Sequence, residues 1–160
     1  MQRLAAQSEG EQVVDALLTA SRLLVAIAAR SLAAVEETLT LPQYRMLVVL
    51  DTQGPSSLAR LAEHLEVNPS TALRMVERLT AAGMVAKVAY PANRREVRLH
   101  LTPTGWQVVR QVTEKRREEI ARIVDAMPPE RREDLVAALR AFSDAGGEPP
   151  ADLPSLPGWT

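Results

Sequence analysis

The sequence contains no cysteine. Disulfides, thiolate metal sites, cysteine nucleophiles and cysteine-based redox sensing are therefore excluded. Aromatic residues are also scarce, at 3%, so leucine, valine, alanine and isoleucine must fill the core, a composition that suits helices packed on helices. No uninterrupted apolar run approaches the roughly 20 residues of a membrane span, and Met1 to Gln12 lacks the apolar centre of a signal peptide. A soluble, cytoplasmic protein with no membrane partner is expected. Charge of one sign is missing too. With 19 basic and 20 acidic residues the net charge is -1, so a nucleic-acid role must rest on where the arginines stand rather than on their sum.

What is present is a chain of 160 residues, 46% of them apolar, enough for one domain of ordinary size. A long first helix is expected over about 11–37, where Val14, Leu17, Leu18, Ser21, Leu24, Ala28, Leu32 and Val35 recur at helical spacing. A helix of that length usually packs against something large, such as a second subunit. Leu41-Pro42-Gln43 starts the next helix, which Gly54-Pro55 ends.

Ser57 is a good N-cap for a short helix, Leu58 to Leu65. Asn68-Pro69 then starts another that runs to Ala82, with Gly83 placed to close it. Two short helices joined by Glu66-Val67-Asn68 form a helix-turn-helix pattern. Met84 to Tyr90 and Val97 to Thr102 then read as two strands around a polar loop, Pro91 to Glu96. Thr102-Pro103 opens a helix reaching about Met127, Pro128-Pro129 breaks it, and a last helix runs from about Pro129 to Asp144. Proline and glycine make 146–160 read as a flexible tail or an arm over a neighbour. The expected fold is mainly α with a small β-hairpin wing: a winged helix-turn-helix over 41–102, helical dimerisation segments at 11–40 and 103–145, and the tail.

On a helical wheel from Pro69 to Leu79, Ala72, Met75, Val76 and Leu79 share one side. Ser70, Leu73, Arg74 and Glu77 take the other, with Arg78 at the border. The second side offers groups that read base edges or hold phosphate. Arg74 can contact guanine through two hydrogen bonds, Leu73 can touch a thymine methyl, and Ser70 can reach phosphate or base. Taken alone, the same face suits a solvated amphipathic helix. The preceding helix, tight turn and following hairpin favour DNA. Arg94 and Arg95 at the hairpin tip suit a narrow minor groove, although a charged hairpin by itself carries no such meaning.

These segments together resemble the multiple antibiotic resistance regulator (MarR) family. The resemblance is carried by Leu58-Ala59-Arg60-Leu61-Ala62-Glu63-His64-Leu65, Val67-Asn68-Pro69-Ser70-Thr71, Arg74-Met75-Val76-Glu77-Arg78-Leu79 and Ala82-Gly83-Met84-Val85. Asn93-Arg94-Arg95, Leu101-Thr102-Pro103-Thr104-Gly105 and Leu41-Pro42-Gln43-Tyr44 extend it over about residues 11–145. The resemblance implies a homodimer with intertwined terminal helices that reads a pseudo-palindromic double-stranded DNA operator. It places the helix from Pro69 in the major groove and the arginine matching Arg95 in the minor groove. It also implies a repressor released by small anionic or phenolic effectors. DNA contacts are expected from Ser57, Asn68, Pro69, Ser70, Thr71, Leu73, Arg74, Arg78, Arg94 and Arg95. Two positions depart from the family pattern. Asn93 stands where an aspartate usually pairs with the wing arginine, and Glu66 stands where glycine usually makes the turn. A left-handed glutamate there costs about 1 kcal/mol relative to glycine, unless the turn is reshaped.

No His/Asp/Glu spacing suggests a metal site, and no nucleophile triad or phosphate loop suggests catalysis; neither cofactor nor enzymatic activity is expected. Tyr44, Met46 and Trp106 can line an effector cavity, although core packing is the commoner role for such residues. Three functions stay open at this point: a ligand-responsive repressor, a DNA binder without effector, and a winged helix used for protein contacts. The second predicts no small molecule that shifts DNA affinity, and the third no dependence on Arg74 or Arg95.

Overall fold

The computed structural model describes residues 2–90, 93–148 and 150, with side chains from 8–89, 97–148 and 150. Helix α1 (Gln2–Ala33) is followed by α2 (Leu41–Gln53), α3 (Leu58–His64) and α4 (Pro69–Ala81). Strands β1 (Val85–Tyr90) and β2 (Asn93–Leu101) pair antiparallel. Helix α5 (Pro103–Asp125), one 3-10 turn (Pro129–Arg131) and α6 (Arg132–Ala145) complete the order.

Side-chain caps set the starts of four elements. Thr40 and Gln43 form a reciprocal capping box at α2, and Ser57, Asn68 and Thr102 each accept an amide at the start of α3, α4 and α5. Pro69 and Pro103 follow their caps where a missing N–H costs nothing. Three helices end in the same closing turn. After α3 the amides of Glu66 and Val67 return to the carbonyls of Glu63 and Ala62. After α4 those of Gly83 and Met84 return to Thr80 and Leu79. After α6 those of Gly147 and Glu148 return to Asp144 and Ser143. The motif needs one left-handed residue, and that residue is Glu66 (φ 52°), Gly83 (φ 72°) and Gly147 (φ 70°) in turn. Glu66 thus keeps the turn unreshaped and bears its strain.

Helix α1 starts nine residues before the expected boundary and runs unbroken through Gly10. It also ends earlier, where the Glu36 carboxylate accepts the Thr38 amide and hydroxyl, at 3.3 and 2.7 Å. An 18-residue window within Ser8–Ala33 has a mean hydropathy of 1.6, so by length and composition alone this helix is apolar enough to cross a bilayer. This corrects the expectation from uninterrupted runs, because isolated polar residues interrupt a run without lowering the average much. Among the described side chains of α1 only those in its last turns are buried, at Ile27, Ser31 and Leu32, while Val13, Val14, Leu18, Leu24 and Val25 are exposed. Helix α6 buries nothing, and Val136, Leu139 and Phe142 lie open.

The core joins α2, α3, α4, the base of the hairpin and the first half of α5. Met46, Leu47, Leu61, Val76, Leu79, Val85 and Val112 are all under 2% exposed, and burying a side chain of this size contributes about 1.5–3 kcal/mol. The hairpin differs from expectation. Strand β2 begins at Asn93, so Asn93 to Glu96 belong to the strand rather than to a six-residue loop. The register passes from Ala89↔Val97 to Tyr90↔Asn93, and an irregularity absorbs Arg94, Arg95 and Glu96. Ser56 adds a one-residue bridge to Leu99, with hydrogen bonds of 3.0 and 2.8 Å. At the far end, 146–148 is the closing turn of α6 rather than irregular chain; Pro149 and residues 151–160, including Trp159, lie outside the described residues.

Candidate nucleic-acid interface

Helix α4 divides by exposure as its sequence dictates. Ala72, Met75, Val76 and Leu79 are buried, and Ser70, Leu73, Arg74, Glu77 and Arg78 are exposed. Leu73 is 40% exposed, an open leucine with no partner in the core. At the helix start the Asn68 side-chain oxygen accepts the Thr71 amide at 2.9 Å and the Ser70 hydroxyl at 2.8 Å. The Ser70 oxygen keeps its acceptor capacity, and the helix end offers the positive pole of its dipole to an anion. Arg74 donates from Nε to the Ser70 carbonyl at 3.4 Å, which leaves the two terminal nitrogens of the guanidinium fork for an outside acceptor. Thr71 is half-buried, Pro69 is exposed, and Ser57 serves α3 rather than α4, accepting the Arg60 amide at 3.3 Å.

One joint fixes α4 relative to the hairpin and α5. The Thr102 hydroxyl donates to the Gly83 carbonyl at 2.5 Å and accepts the Gly105 amide at 3.1 Å, while the Thr102 amide donates to the Met84 carbonyl at 3.1 Å. A side chain at Gly105 would overlap that Met84 carbonyl, so glycine permits the close approach of α5 to the end of α4. The Gly83 turn, the strand ends and the α5 start are thereby locked together within a few residues. The backbone of Arg94 and Arg95 lies in β2, between Asn93, which pairs with Tyr90, and Val97, which pairs with Ala89; their side chains, and that of Asn93, lie outside the described residues.

The residues considered for an effector lie in different surroundings within one chain. Met46 is fully buried in the core. Tyr44 is also buried, and its hydroxyl lies 3.4 Å from that of Thr113 on α5. Trp106 is 37% exposed, and the Arg110 guanidinium lies over its ring at 4.4 Å. A cleft of about 480 Å³ runs along α5, lined by Thr113, Arg116, Arg117, Ile120, Ala121, Val124 and Asp125, and includes none of the three. Among the described residues no three His, Asp or Glu side chains converge as metal ligands. The His64 Nδ1 lies 2.8 Å from the Arg60 carbonyl.

Several features had no expectation behind them. Ser56 and Gly105 act through backbone approach. A glycine two residues after Thr-Pro was a visible signal for the second, whereas nothing marked the first. Arg45 on α2 grips Glu148 after α6, a pair separated by 103 positions that no local pattern reveals. Burial also pushes the Asp51 carboxyl, near the end of α2, above its usual range.

A sequence profile of the MarR family matches residues 39–97. The crystal structure of RV1404 from Mycobacterium tuberculosis is 55% identical, superposes with a TM-score of 0.83, and is matched over 88% of this chain and 96% of that one. BpsR of Bordetella bronchiseptica, whose DNA binding is regulated by 6-hydroxynicotinic acid, is 30% identical with a TM-score of 0.62, over 84% of this chain and 94% of BpsR. YsmB of Bacillus subtilis, an uncharacterised HTH-type transcriptional regulator, is 29% identical over 92 residues, which are 58% of this chain. The aligned region spans 63% of YsmB, less than two thirds of that regulator's length.

Proposed function

Because the chain belongs to the MarR family, whose matched relatives are HTH-type transcriptional regulators, we propose that it is a sequence-specific reader of double-stranded DNA that works as a ligand-responsive homodimeric repressor. The observation that carries this reading is the division of α4 into a buried apolar face and an exposed face of Ser70, Leu73, Arg74 and Arg78, locked beside a hairpin. Helix α4 enters the major groove, where Arg74 takes guanine and Leu73 a thymine methyl. Asn68, Pro69, Ser70 and Thr71 place the helix start on the backbone, with Arg78 and Ser57 supporting it. Arg94 and Arg95 carry the wing into the minor groove.

Residues 41–102 form the reading unit, and 11–40 with 103–145 form the homodimer region. The exposed apolar faces of α1 and α6 support this assignment. A second copy covers them better than a bilayer does, because Asp15 and Arg22 on α1 would each cost about 2.5–3.5 kcal/mol at a membrane centre. The protein thus works in the cytoplasm on a pseudo-palindromic operator, with half-sites centred about 10 base pairs apart. A small anionic or phenolic effector releases it, as the example of BpsR and its hydroxynicotinic acid supports.

Selection of bound sequences from random duplexes tests this, repeated with a panel of aromatic acids and phenols. A palindromic site that is lost with one panel member is expected. Failure to enrich any sequence overturns the reading.

A further inference from the structure

Resting on that reading of α4, we propose that Glu77 is a specificity-determining residue whose carboxylate accepts a hydrogen bond from a cytosine amino group in each half-site. Glu77 lies seven residues after Ser70, so it stands about 20° from Ser70 around the helix and about 10 Å along it. It therefore occupies the middle of the exposed face, flanked by Leu73 and Arg74. Arg74 sits three residues before Glu77, close enough for an ion pair, yet it turns its Nε to the Ser70 carbonyl instead. Among the described residues the Glu77 carboxylate has no hydrogen-bond or ion-pair partner.

An unpaired carboxylate on a DNA-facing surface is repelled by phosphate, and a helix built only to hold the backbone would gain by losing it. In the major groove the sign of the effect depends on the base. A carboxylate has acceptors only. Guanine and thymine present acceptors at their polar edge positions, so either base would leave two acceptors face to face. Cytosine presents only its N4 donor, which the carboxylate can take. The same side chain that weakens indiscriminate binding thus rewards one base and penalises two.

The test compares selection from random duplexes by the wild type, Glu77→Gln and Glu77→Ala. Glu77 is exposed and Gln is its isostere, so the fold tolerates both changes. The wild type is expected to favour cytosine at one position of each half-site by about five- to hundredfold over guanine or thymine. Glu77→Gln is expected to move that preference to adenine, whose N6 and N7 suit a carboxamide, and Glu77→Ala to flatten it. If the wild type selects a palindrome whose base preferences both variants retain, the inference falls while the regulator reading stands. Uniformly tighter binding by Glu77→Ala to all sequences overturns it in the same way, as a purely repulsive charge. A wild type that enriches no sequence overturns the regulator reading, and the inference with it.

Discussion

Arg45 and Glu148 meet across 103 positions of chain, with Nη1 donating to Oε1 at 2.8 Å and Nη2 to Oε2 at 2.5 Å. The fork ties the closing turn of α6 to the second turn of α2. The Arg45 hydrogen bonds hold the Glu148 carboxyl below its usual range, against a smaller opposing effect of burial. A depressed carboxyl contributes stability above its unfolded value, around pH 4–5, and loses it as pH falls through the folded value. Both side chains are nearly half exposed, so solvent screening keeps the contribution small. Glu148→Gln is expected to lower the thermal midpoint at pH 7, with the gap to wild type closing below about pH 4. A gap that stays constant with pH would remove the charge from the explanation.

Glu66 carries the left-handed conformation that glycine supplies at Gly83 and Gly147 in the same closing turn. Glu66→Gly relieves a backbone cost of about 1 kcal/mol, partly offset by the greater freedom of glycine in the unfolded chain. The thermal midpoint should rise by up to about 2–4 °C. Calorimetry that finds a lower midpoint would show that the glutamate side chain contributes more than the strain costs.

Gly105→Ala should do the reverse. Its Cβ would overlap the Met84 carbonyl and press on Leu101. Forcing α5 away from that turn is expected to cost about 1–3 kcal/mol, read by urea denaturation. An unchanged midpoint would mean that the joint yields freely.

Arg74→Ala removes the guanidinium from the exposed face of α4 without touching its buried face. The preference for the operator over random DNA is expected to fall by about 1–3 kcal/mol. Equal weakening on both DNAs in a competition titration would assign Arg74 to phosphate instead.

Arg95→Ala addresses the wing. Loss of one phosphate-neutralising charge reduces the slope of log affinity against log salt by about one unit. Titrations at several salt concentrations that give the wild-type slope would take Arg95 out of the interface.

Much of this architecture is legible in short-range chemistry. Ser57, Asn68 and Thr102 announce helix starts because a cap is a contact within three residues, and structure and sequence agree at each; the Thr40 capping box at α2 is equally local but is seen only in the structure. The two faces of α4 follow from helical periodicity alone. Legibility fails where the deciding contact is distant. The end of α1 is a local exception: the apolar spacing continues to Val35, but the helix stops at Ala33, ahead of the turn in which Glu36 accepts from Thr38. The polar run Asn93 to Glu96 suggests a loop of six residues, but Asn93 pairs with Tyr90 and the strand continues through the irregularity that follows it. Ser56 joins Leu99, and Arg45 joins Glu148, across distances at which sequence carries no periodic signal.

The joint at Thr102, Gly105 and Met84 gives α5 the character of a lever. The helix has 23 residues and is about 35 Å long, and one end is clamped to the turn that closes the reader. A pivot of about five degrees at the clamp moves the far end by about 3 Å, close to the rise of one base pair. In the proposed homodimer, small changes of angle at this fulcrum would be enough to bring a pair of α4 helices into or out of phase with the turn of a duplex.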